Sequence, residues 1–374
     1  MKYIDEFRDP ALARTLVAQI QRAAARRDSK RPVEAQRPVR LMEFCGGHTH
    51  AIFRFGLREL LAGTVDLRSG PGCPVCVTAA ADLDRAIAMA EIPDVILTTF
   101  GDMVRVPGRR GTLQDARARG ADVRIVYSPL DAVNLARQNP QREVIFLGVG
   151  FETTAPGIAA ALIQAQEAGL ANFCVLSLHK LTPPAMRAIL DAGEVALDGI
   201  IGPGHVSAVI GSEAWRFLPQ TYAMPCAVAG FEPLDLLSAI AALVHAAVTA
   251  TPTVVNSYGR SVRPEGNPIA QAMMTRVFEI GPARWRGFGE IPASGLTLRE
   301  TFAPCDAARR FPIEIEPAEK PTACRCGEVL RGVIAPTECP LFRRVCTPRN
   351  PVGPCMVSAE GACAAYFKYE DTSL

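Results

Sequence analysis

The stretch whose residues are best suited to chemistry runs from residue 43 to residue 50 and reads EFCGGHTH. It places one thiol and two imidazoles, those of Cys45, His48 and His50, within six residues, and all three groups are good ligands for a transition metal. The two glycines between them carry no side chain, so the backbone can closely approach a bound ion or small ligand. We therefore expect a chemical site here.

A second turn, Gly70–Cys76, reads GPGCPVC and holds the thiols Cys73 and Cys76 in a CxxC spacing. The pattern predicts that a helix begins here, and amide donors and the helix dipole at such a position lower the pKa of a thiol. This favours redox exchange or metal ligation. Two alternatives stay open: a pair of buried structural thiols, or a zinc site completed by Cys45 and a histidine.

Short apolar runs at 39–44 and 65–68 precede these two turns and are typical of buried strands. If the two strands are parallel neighbours, Cys45, Cys73 and Cys76 meet at the carboxyl edge of one sheet. That edge is where α/β sheets bind their ligands. The hypothesis of a shared site depends on this arrangement.

The end of the chain is rich in cysteine. Four thiolates around an iron–sulfur cube are the most frequent use of such density, and a zinc site with four thiolates is the alternative. Cys174 and Cys226 are expected in the core, and Cys305 has no assigned role. Six of the twelve cysteines fall in the last 51 residues, namely Cys324, Cys326, Cys339, Cys346, Cys355 and Cys363.

The middle of the sequence alternates strand and helix patterns, which indicates parallel α/β sheets. Strands are predicted at 39–44, 65–68, 94–99, 122–127, 143–148, 173–178, 197–201 and 226–229. Helices are predicted near 9–28, 51–62, 78–91, 112–119, 130–138, 155–168, 183–192, 233–249 and 267–279. The stretch from Gly281 to Gly295 is interpreted as an extended connection.

The polar break Asn139–Arg142 lies in the middle of this series and favours two sheets over one. We therefore predict an α/β protein with two parallel-sheet domains and a small C-terminal domain. The expected boundaries are 1–37 for an N-terminal helix and linker, 38–140 and 141–300 for the two α/β domains, and 301–374 for the cysteine-rich domain.

Further polar side chains stand in turns at the predicted ends of strands. Asp102 and Glu152 have the chemistry of acid/base groups, but a carboxylate at the start of a helix is often only its cap, and the two interpretations have equal weight. His179 and His205 also follow strands. The glycines at 148 and 150 form no dinucleotide fingerprint, and no Walker lysine follows them.

The composition excludes several classes of function. The 40 basic and 38 acidic residues are mixed along the chain and give a net charge of +2, so no basic footprint for nucleic acid is present. The longest apolar run, at 239–250, is too short to span a bilayer, and the first residues lack the apolar core of a secretory signal. We expect a soluble cytoplasmic protein, in which CxC and CxxC pairs indicate metal or redox chemistry.

Six strings in the sequence together resemble the HypD family, whose members mature the active-site iron of [NiFe]-hydrogenases. They are CGGHTH at 45–50, GPGCPVC at 70–76, FGDM at 100–103, GFETT at 150–154, GPGH at 202–205 and CMVS at 355–358. The likeness runs in order from about residue 40 to Tyr369.

The resemblance implies a scaffold on which an Fe(CN)2CO unit is assembled with a small partner, HypC, whose N-terminal cysteine supplies a second thiolate. HypE, with HypF upstream, delivers cyanide as a thiocyanate, and the hydrogenase large subunit is served indirectly. In this scheme Cys45 ligates Fe(II), and Cys73 and Cys76 form an adjacent dithiol that supplies electrons or takes part in ligand transfer. All three cysteines are candidate residues of the iron site. His48 orients the site, and Glu152 is a further catalytic candidate.

The same resemblance implies a [4Fe-4S] cluster in the C-terminal domain, arranged as in ferredoxin:thioredoxin reductase with a disulfide beside the cube. The first member of the CxC pair is then a ligand, and Cys326 and Cys355 remain as a redox pair next to the cluster. The implied cluster ligands are Cys324, Cys339, Cys346 and Cys363.

Two other functions compete with this scaffold. A stand-alone thiol-disulfide oxidoreductase would act through Cys73 and Cys76 without Cys45. A zinc-stabilised binding module would contain zinc and neither iron nor acid-labile sulfide.

Overall fold

The computed structural model describes residues 5–29, 32, 36–315 and 323–370, so parts of the predicted linker before residue 37 lie outside it. Its strands are β1 (Val39–Glu43), β2 (Val65–Ser69), β3 (Val95–Thr99), β4 (Asp122–Ile125), β5 (Glu143–Gly148), β6 (Phe173–Ser177), β7 (Gly199–Pro203), β8 (Cys226–Ala229), β9 (Val254–Asn256), β10 (Phe278–Trp285) and β11 (Gly289–Leu298). Its helices are α1 (Pro10–Asp28), α2 (Gly46–Arg54), α3 (Leu57–Leu60), α4 (Pro74–Val77), α5 (Ala80–Ala90), α6 (Leu113–Ala118), α7 (Pro129–Gln138), α8 (Ala155–Glu167), α9 (Thr182–Ala192), α10 (Gly204–Ile210), α11 (Phe217–Tyr222), α12 (Pro233–Thr249), α13 (Pro268–Val277), α14 (Ala307–Arg310), α15 (Cys326–Leu330) and α16 (Ala362–Tyr369).

Two parallel sheets form the frame of the molecule, which confirms the predicted α/β class. The first sheet has the strand order β2-β1-β7-β8-β9, and the second has the order β4-β3-β5-β6. Every residue of β3 and β8 is buried, as expected for parallel strands that are covered by helices on both faces. β1 and β2 are parallel neighbours with Glu43 opposite Ser69, so the arrangement required for a shared site is present.

The strands are divided between the two sheets differently from the prediction, which places a boundary at residue 140. β3 and β4 pair with β5 across that position, and β7 returns to lie beside β1. Along the sequence, the strands of the first sheet therefore lie both before and after those of the second sheet. The polar break at 139–142 is only a loop, in which Asn139 ends α7 and Arg142 forms an ion pair with Asp122 of β4.

Residues 278–298 form an antiparallel hairpin of β10 and β11, and the predicted extended connection is wrong. Glycine and proline hide the strand pattern, although they have specific places here: Gly287 takes a φ of 81° in the turn, and the register shifts next to Gly281. Trp285 at the end of β10 is buried and donates from its indole nitrogen to Ser294 Oγ at 2.9 Å. This buried aromatic anchors the hairpin to the rest of the fold.

The helix after β1 begins at Gly46, five residues before the predicted start at residue 51. Glycine has a low helix propensity, so the sequence pattern conceals this first turn. Gly56, with a φ of 64°, separates α2 from α3. The helix predicted at 233–249 has the observed bounds.

The C-terminal segment shares its core with the first sheet. Val329 and Tyr366 belong to the same buried apolar cluster as Met42 and Phe44. α16 packs on α2, where the rings of Phe53 and Tyr366 lie 4.5 Å apart between centroids. No helix of the described ranges is long and apolar enough to cross a membrane.

Candidate metal and redox site

The turns after β1 and β2 are in direct backbone contact. The amide of Gly46 donates to the carbonyl of Gly72 at 3.0 Å, and the amide of Gly70 donates to the carbonyl of Glu43 at 2.8 Å. A Cβ on Gly72 would overlap the backbone of Cys45, so this approach requires glycine. Cys45 therefore stands beside the GPGC turn at the carboxyl edge of the first sheet.

A buried carboxyl group fixes the conformation of the first turn. Glu43 is 2% exposed, and its two oxygens accept from the amide of Cys45 at 2.7 Å and from the hydroxyl of Thr49. Burial raises the pKa of Glu43 to about 7, although these hydrogen bonds oppose the shift. A proton can therefore be exchanged near neutral pH directly beside Cys45.

The side chain of Cys45 is partly exposed, and glycine surrounds it. A Cβ on Gly47 would lie 3.6 Å from the Cys45 sulfur. Burial within the turn raises the pKa of the Cys45 thiol to about 12, with smaller contributions from the charges of Glu43 and Glu360. Because a metal binds the thiolate, an ion bound at Cys45 must displace a proton.

His48 is buried in α2, with one ring nitrogen anchored. Its Nε2 lies 3.1 Å from the carbonyl oxygen of Ala229, whereas its buried Nδ1 has no hydrogen-bond partner among the residues that the structure describes. Phe231 packs 4.9 Å from the His48 ring, and His205 stacks on Phe231 at 4.0 Å. Burial lowers the pKa of His48 to about 4, so the ring is neutral, and a proton on Nε2 leaves the Nδ1 lone pair available.

Cys73 and Cys76 are joined by a disulfide across the start of α4, where the sequence predicts a helix to begin. With both sulfurs bonded, Cys45, Cys73 and Cys76 are not a ready set of three ligands. Within the described ranges, no three Cys, His, Asp or Glu side chains converge on one metal position. In this state the pair is an oxidised redox group next to Cys45.

The C-terminal cysteines line a single cavity whose wall contains apolar side chains and a glycine. Cys324 and Cys326 are partly exposed, and the other four are buried. A Cβ on Gly353 would lie 2.6 Å from the Cys324 sulfur, so this sulfur packs directly on the glycine and leaves no room for a side chain there. An all-sulfur donor set in such a cavity fits an iron–sulfur cluster. The lining consists of Cys324, Cys326, Val329, Cys339, Phe342, Cys346, Gly353, Cys355, Met356 and Cys363.

Several sulfurs in this cavity are hydrogen-bonded to one another. Cys326 contacts both Cys324 and Cys355, and Cys355 also contacts Cys363. Donation from its two neighbours lowers the pKa of Cys326, and the same hydrogen bonds raise the pKa of Cys324 and of Cys355. Cys326 and Cys355 therefore lie side by side, each next to another cysteine.

One contact joins the cavity to the disulfide. The Cys76 sulfur lies 3.9 Å from the carbonyl oxygen of Pro354, and Cys355, which is 1% exposed, follows directly in the chain. The two groups of cysteines, which are far apart in sequence, are therefore adjacent in the fold.

The segment after Cys355 also reaches the Cys45 turn and the second sheet. Ser358 donates to the carboxylate of Asp102 at 2.7 Å, in the turn after β3. Glu360 packs so closely on Gly46 that a Cβ there would overlap its backbone. Sequence reasoning missed Glu360, and the only signal for the Ser358 contact is that FGDM and CMVS both belong to the family strings.

Glu152 acts as a helix cap. It is 2% exposed, and its oxygens accept from the amide of Thr182 at 2.8 Å and from the hydroxyl of Thr182 at 2.9 Å, at the first residue of α9. Burial raises the pKa of Glu152 to about 7. Glu152 therefore caps α9 and not α8, the helix that follows it in the sequence, and an acid/base role stays a prediction.

His179 and Lys180 form a separate buried polar group after β6. His179 Nδ1 lies 2.9 Å from Ser177 Oγ, and Lys180 Nζ lies 3.8 Å from Asp82 of α5. Burial lowers the pKa of His179 to about 3 and also lowers the pKa of Lys180. Their contacts tie the second sheet to the helix that follows the CxxC turn.

The HypD family, described as the hydrogenase formation hypA family, matches residues 12–370. The chain belongs to the HypD family. It is 51% identical to the hydrogenase maturation factor HypD of Azotobacter vinelandii over 99% of this chain and 97% of that protein. It is 47% identical to the HypD of Rhodobacter capsulatus and 45% identical to that of Escherichia coli K12, in each case over 99% of this chain and 98% of the relative.

The HypD match includes every part of the site described above. The Cys45 turn, the Cys73–Cys76 disulfide and the six-cysteine cavity all lie within residues 12–370. The sequence identity therefore applies to the whole arrangement and not to one isolated motif.

Proposed function

We propose that this chain is a hydrogenase maturation factor that acts as a scaffold for metal assembly. Relatives that bear this name align over 99% of the chain at 45 to 51% identity. The structural observation that carries the proposal is the adjacency of three features: the Cys45 turn, the Cys73–Cys76 disulfide and the six-cysteine cavity. A protein that only binds a partner has no need for this arrangement.

The cargo of the scaffold is an Fe(CN)2CO unit with Cys45 as its thiolate ligand, and HypC supplies a further thiolate. Cyanide and carbon monoxide are strong-field ligands of low-spin Fe(II), and a soft thiolate suits the same ion. Cys45 is partly exposed, and the glycines beside it bring the neighbouring backbone close to the thiol. The free lone pair of His48 helps to orient the site.

The cyanide donor in this scheme is HypE, with HypF upstream, and it carries cyanide as a thiocyanate, R–S–C≡N. Release of the cyanide takes two electrons and one proton and gives R–SH and CN⁻. A Cys73–Cys76 dithiol supplies both electrons, becomes the disulfide and gives up two protons, one of which the new R–SH takes. In this scheme the disulfide form of the pair is the product of that step, and a disulfide between these two cysteines supports the proposal.

In the six-cysteine cavity, Cys324, Cys339, Cys346 and Cys363 would hold a [4Fe-4S] cluster. When bound, the cluster supplies one-electron transfer. Cys326 and Cys355, which are hydrogen-bonded to each other, form the redox pair beside these ligands. The contact between Pro354 and Cys76 supports a route by which the Cys73–Cys76 pair is reduced again.

One anaerobic experiment tests the proposal. The chain is purified with HypC, and its iron, zinc, acid-labile sulfide and infrared spectrum are measured. We expect iron, labile sulfide and infrared bands of metal-bound cyanide and CO. Cys45→Ala should lose the infrared bands and keep the sulfide, whereas Cys346→Ala should lose the sulfide. Zinc in place of both iron and sulfide would contradict the proposal and support a zinc-stabilised module.

A stand-alone thiol-disulfide oxidoreductase is the second candidate, and the CxxC disulfide at a helix start favours it. That enzyme would reduce a disulfide substrate at a rate that Cys45→Ala leaves unchanged. If Cys45→Ala keeps this turnover and the wild type shows no infrared bands with HypC present, the second candidate replaces the first.

A further inference from the structure

A large cleft adjoins the six-cysteine cavity on the side where Cys324 and Cys326 reach the surface. It encloses about 860 Å³, within the range of about 300 to 1,000 Å³ that is usual for ligand sites. Its charged lining consists of Arg109, Arg286, Arg325, Arg331 and Glu328, and we call it the arginine cleft. Four cations thus face one anion at the entrance to the cysteines.

Three of the four arginines already have carboxylate partners, which hold them in place. Arg325 pairs with Glu328 on the rim of the cleft. Arg331 pairs with Glu194 at 2.6 Å and also donates to the carbonyl of Gly287 at 2.5 Å. The fork of Arg331 is therefore fixed against the hairpin turn, so part of the cleft is organised before any ligand arrives.

Arg109 is held in a similar way by a group behind the cleft wall. It donates from Nε to the fully buried carboxylate of Asp84 at 2.7 Å. Asp84 is not part of the lining, so it holds Arg109 from outside the cleft.

Arg286 is the exception, because it has no carboxylate partner among the residues that the structure describes; its charge instead helps to lower the pKa of the Cys326 thiol. Its Nε donates to the carbonyl of Thr78 at 3.0 Å and its Nη2 to the carbonyl of Pro107 at 3.3 Å. It forms no ion pair within the ranges that the structure describes. A guanidinium held by neutral carbonyl groups retains its attraction for an external anion.

We propose that the arginine cleft is the docking site for an acidic loop of a one-electron carrier protein. The cleft is wide enough for a loop, its charge is opposite to that of the loop, and it leads to the two cysteines of the cavity that reach the surface. The interfaces between redox proteins are small, and complementary charges on the two surfaces speed their association. The proposal rests on the proposed function: in each encounter the carrier loses one electron, the iron–sulfur centre gains it, and no bond or proton is transferred.

The alternative role of the four arginines is to balance the negative charge of a thiolate-bound cluster. That role needs no ligand, so only a binding measurement separates the two. We choose Arg325 for the test because 40% of its side chain is accessible and its ion pair with Glu328 lies within one helix turn. Its loss should leave the fold intact.

The test uses the full chain and an acidic plant-type [2Fe-2S] ferredoxin as the probe. Calorimetric titration of the oxidised probe should show binding that weakens as salt is added. Arg325→Glu should weaken binding by about tenfold or more, and Arg325→Lys by about threefold or less, since charge steering governs such encounters. Arg284→Glu makes the same charge change on the same hairpin as Arg286 but outside the cleft, and should have an effect of less than about twofold.

A second measurement separates the cleft from the proposed function. The chain is reduced either by the reduced ferredoxin or by the cationic methyl viologen radical. Arg325→Glu should slow the first reaction and not the second. Equal loss of ferredoxin binding in Arg284→Glu, or unchanged binding in Arg325→Glu, would overturn the docking site. If neither reductant transfers an electron to the wild type, the iron–sulfur function is wrong, and the titration still decides whether the cleft binds the probe.

Discussion

At the scale of single residues, Glu43 is the group whose protonation should matter most for stability. Burial raises the pKa of Glu43 from 4.5 to about 7 in the folded protein. Its contribution to stability is therefore fully present below about pH 4.5 and is lost as the pH rises through about 7. Glu43→Gln removes this dependence. Between about pH 5 and pH 8 the free energy of unfolding of the wild type should therefore fall by about 2 to 3 kcal/mol relative to that of the variant.

Urea unfolding of the two proteins at both pH values measures this difference. Glu152 also has a pKa near 7, but it is present in both proteins, so its contribution cancels. Parallel pH profiles for the wild type and Glu43→Gln would show that Glu43 is not buried in its charged form.

Spacing in the sequence is enough to predict the cysteines of the site, because a CxxC pair and a CGGH string are local patterns. The partners of these residues are not local. Glu43 and Thr49 flank Cys45, but nothing in their types says that the carboxylate turns inward to accept from the Cys45 amide. Pro354 and Glu360 reach the site only through the fold, so no spacing rule identifies them.

At the scale of elements, periodicity predicts the strands and most helices, but not the sheet to which each strand belongs. Parallel strands such as β3 and β5 are buried along nearly their whole length and show no alternation of buried and exposed positions, so their sequence patterns do not identify their neighbours. The pairing of β7 with β1 joins strands that are far apart in the sequence, and it is determined by the packing of the whole fold. The β10–β11 hairpin is missed for the opposite reason, because glycine and proline at a bulge and a turn interrupt its alternation.

The cap that Glu152 provides for α9 gives a prediction at the same scale. Glu152→Ala leaves the amide and hydroxyl of Thr182 without their acceptor in a buried position, so it should lower the free energy of unfolding by about 2 kcal/mol. Thr182→Val removes only the hydroxyl and should cost about 1 kcal/mol. Glu167→Ala, at an exposed carboxylate with 67% of its side chain accessible, is the matched control and should change stability by less than about 0.5 kcal/mol.

Denaturant unfolding of these three variants distinguishes the cap from an acid/base role. If Glu152→Ala is as stable as Glu167→Ala, the hydrogen bonds to Thr182 do not hold the helix. The acid/base interpretation of Glu152 would then become the stronger one.

At the scale of the whole molecule, the C-terminal segment connects the two sheets and the two groups of cysteines. Ser358 is tied to the second sheet through Asp102, whereas Tyr366 is tied to the first through the Arg58 guanidinium, which contacts its hydroxyl at 2.5 Å. Residues between these two anchors cover the Cys45 turn. Access to Cys45 should therefore depend on how firmly this segment is seated.

Gly46→Ala tests that dependence, because its Cβ would overlap Glu360 and no cysteine is substituted. We expect the segment to be displaced, the free energy of unfolding to fall by about 1 to 3 kcal/mol and iodoacetamide to modify Cys45 faster than in the wild type. Gly157→Ala is the matched control: nothing lies within 4 Å of its Cβ, and alanine suits α8, so stability should rise by up to about 1 kcal/mol. Equal alkylation rates of Cys45 in the two variants would mean that Cys45 is reached from a direction that the segment does not cover.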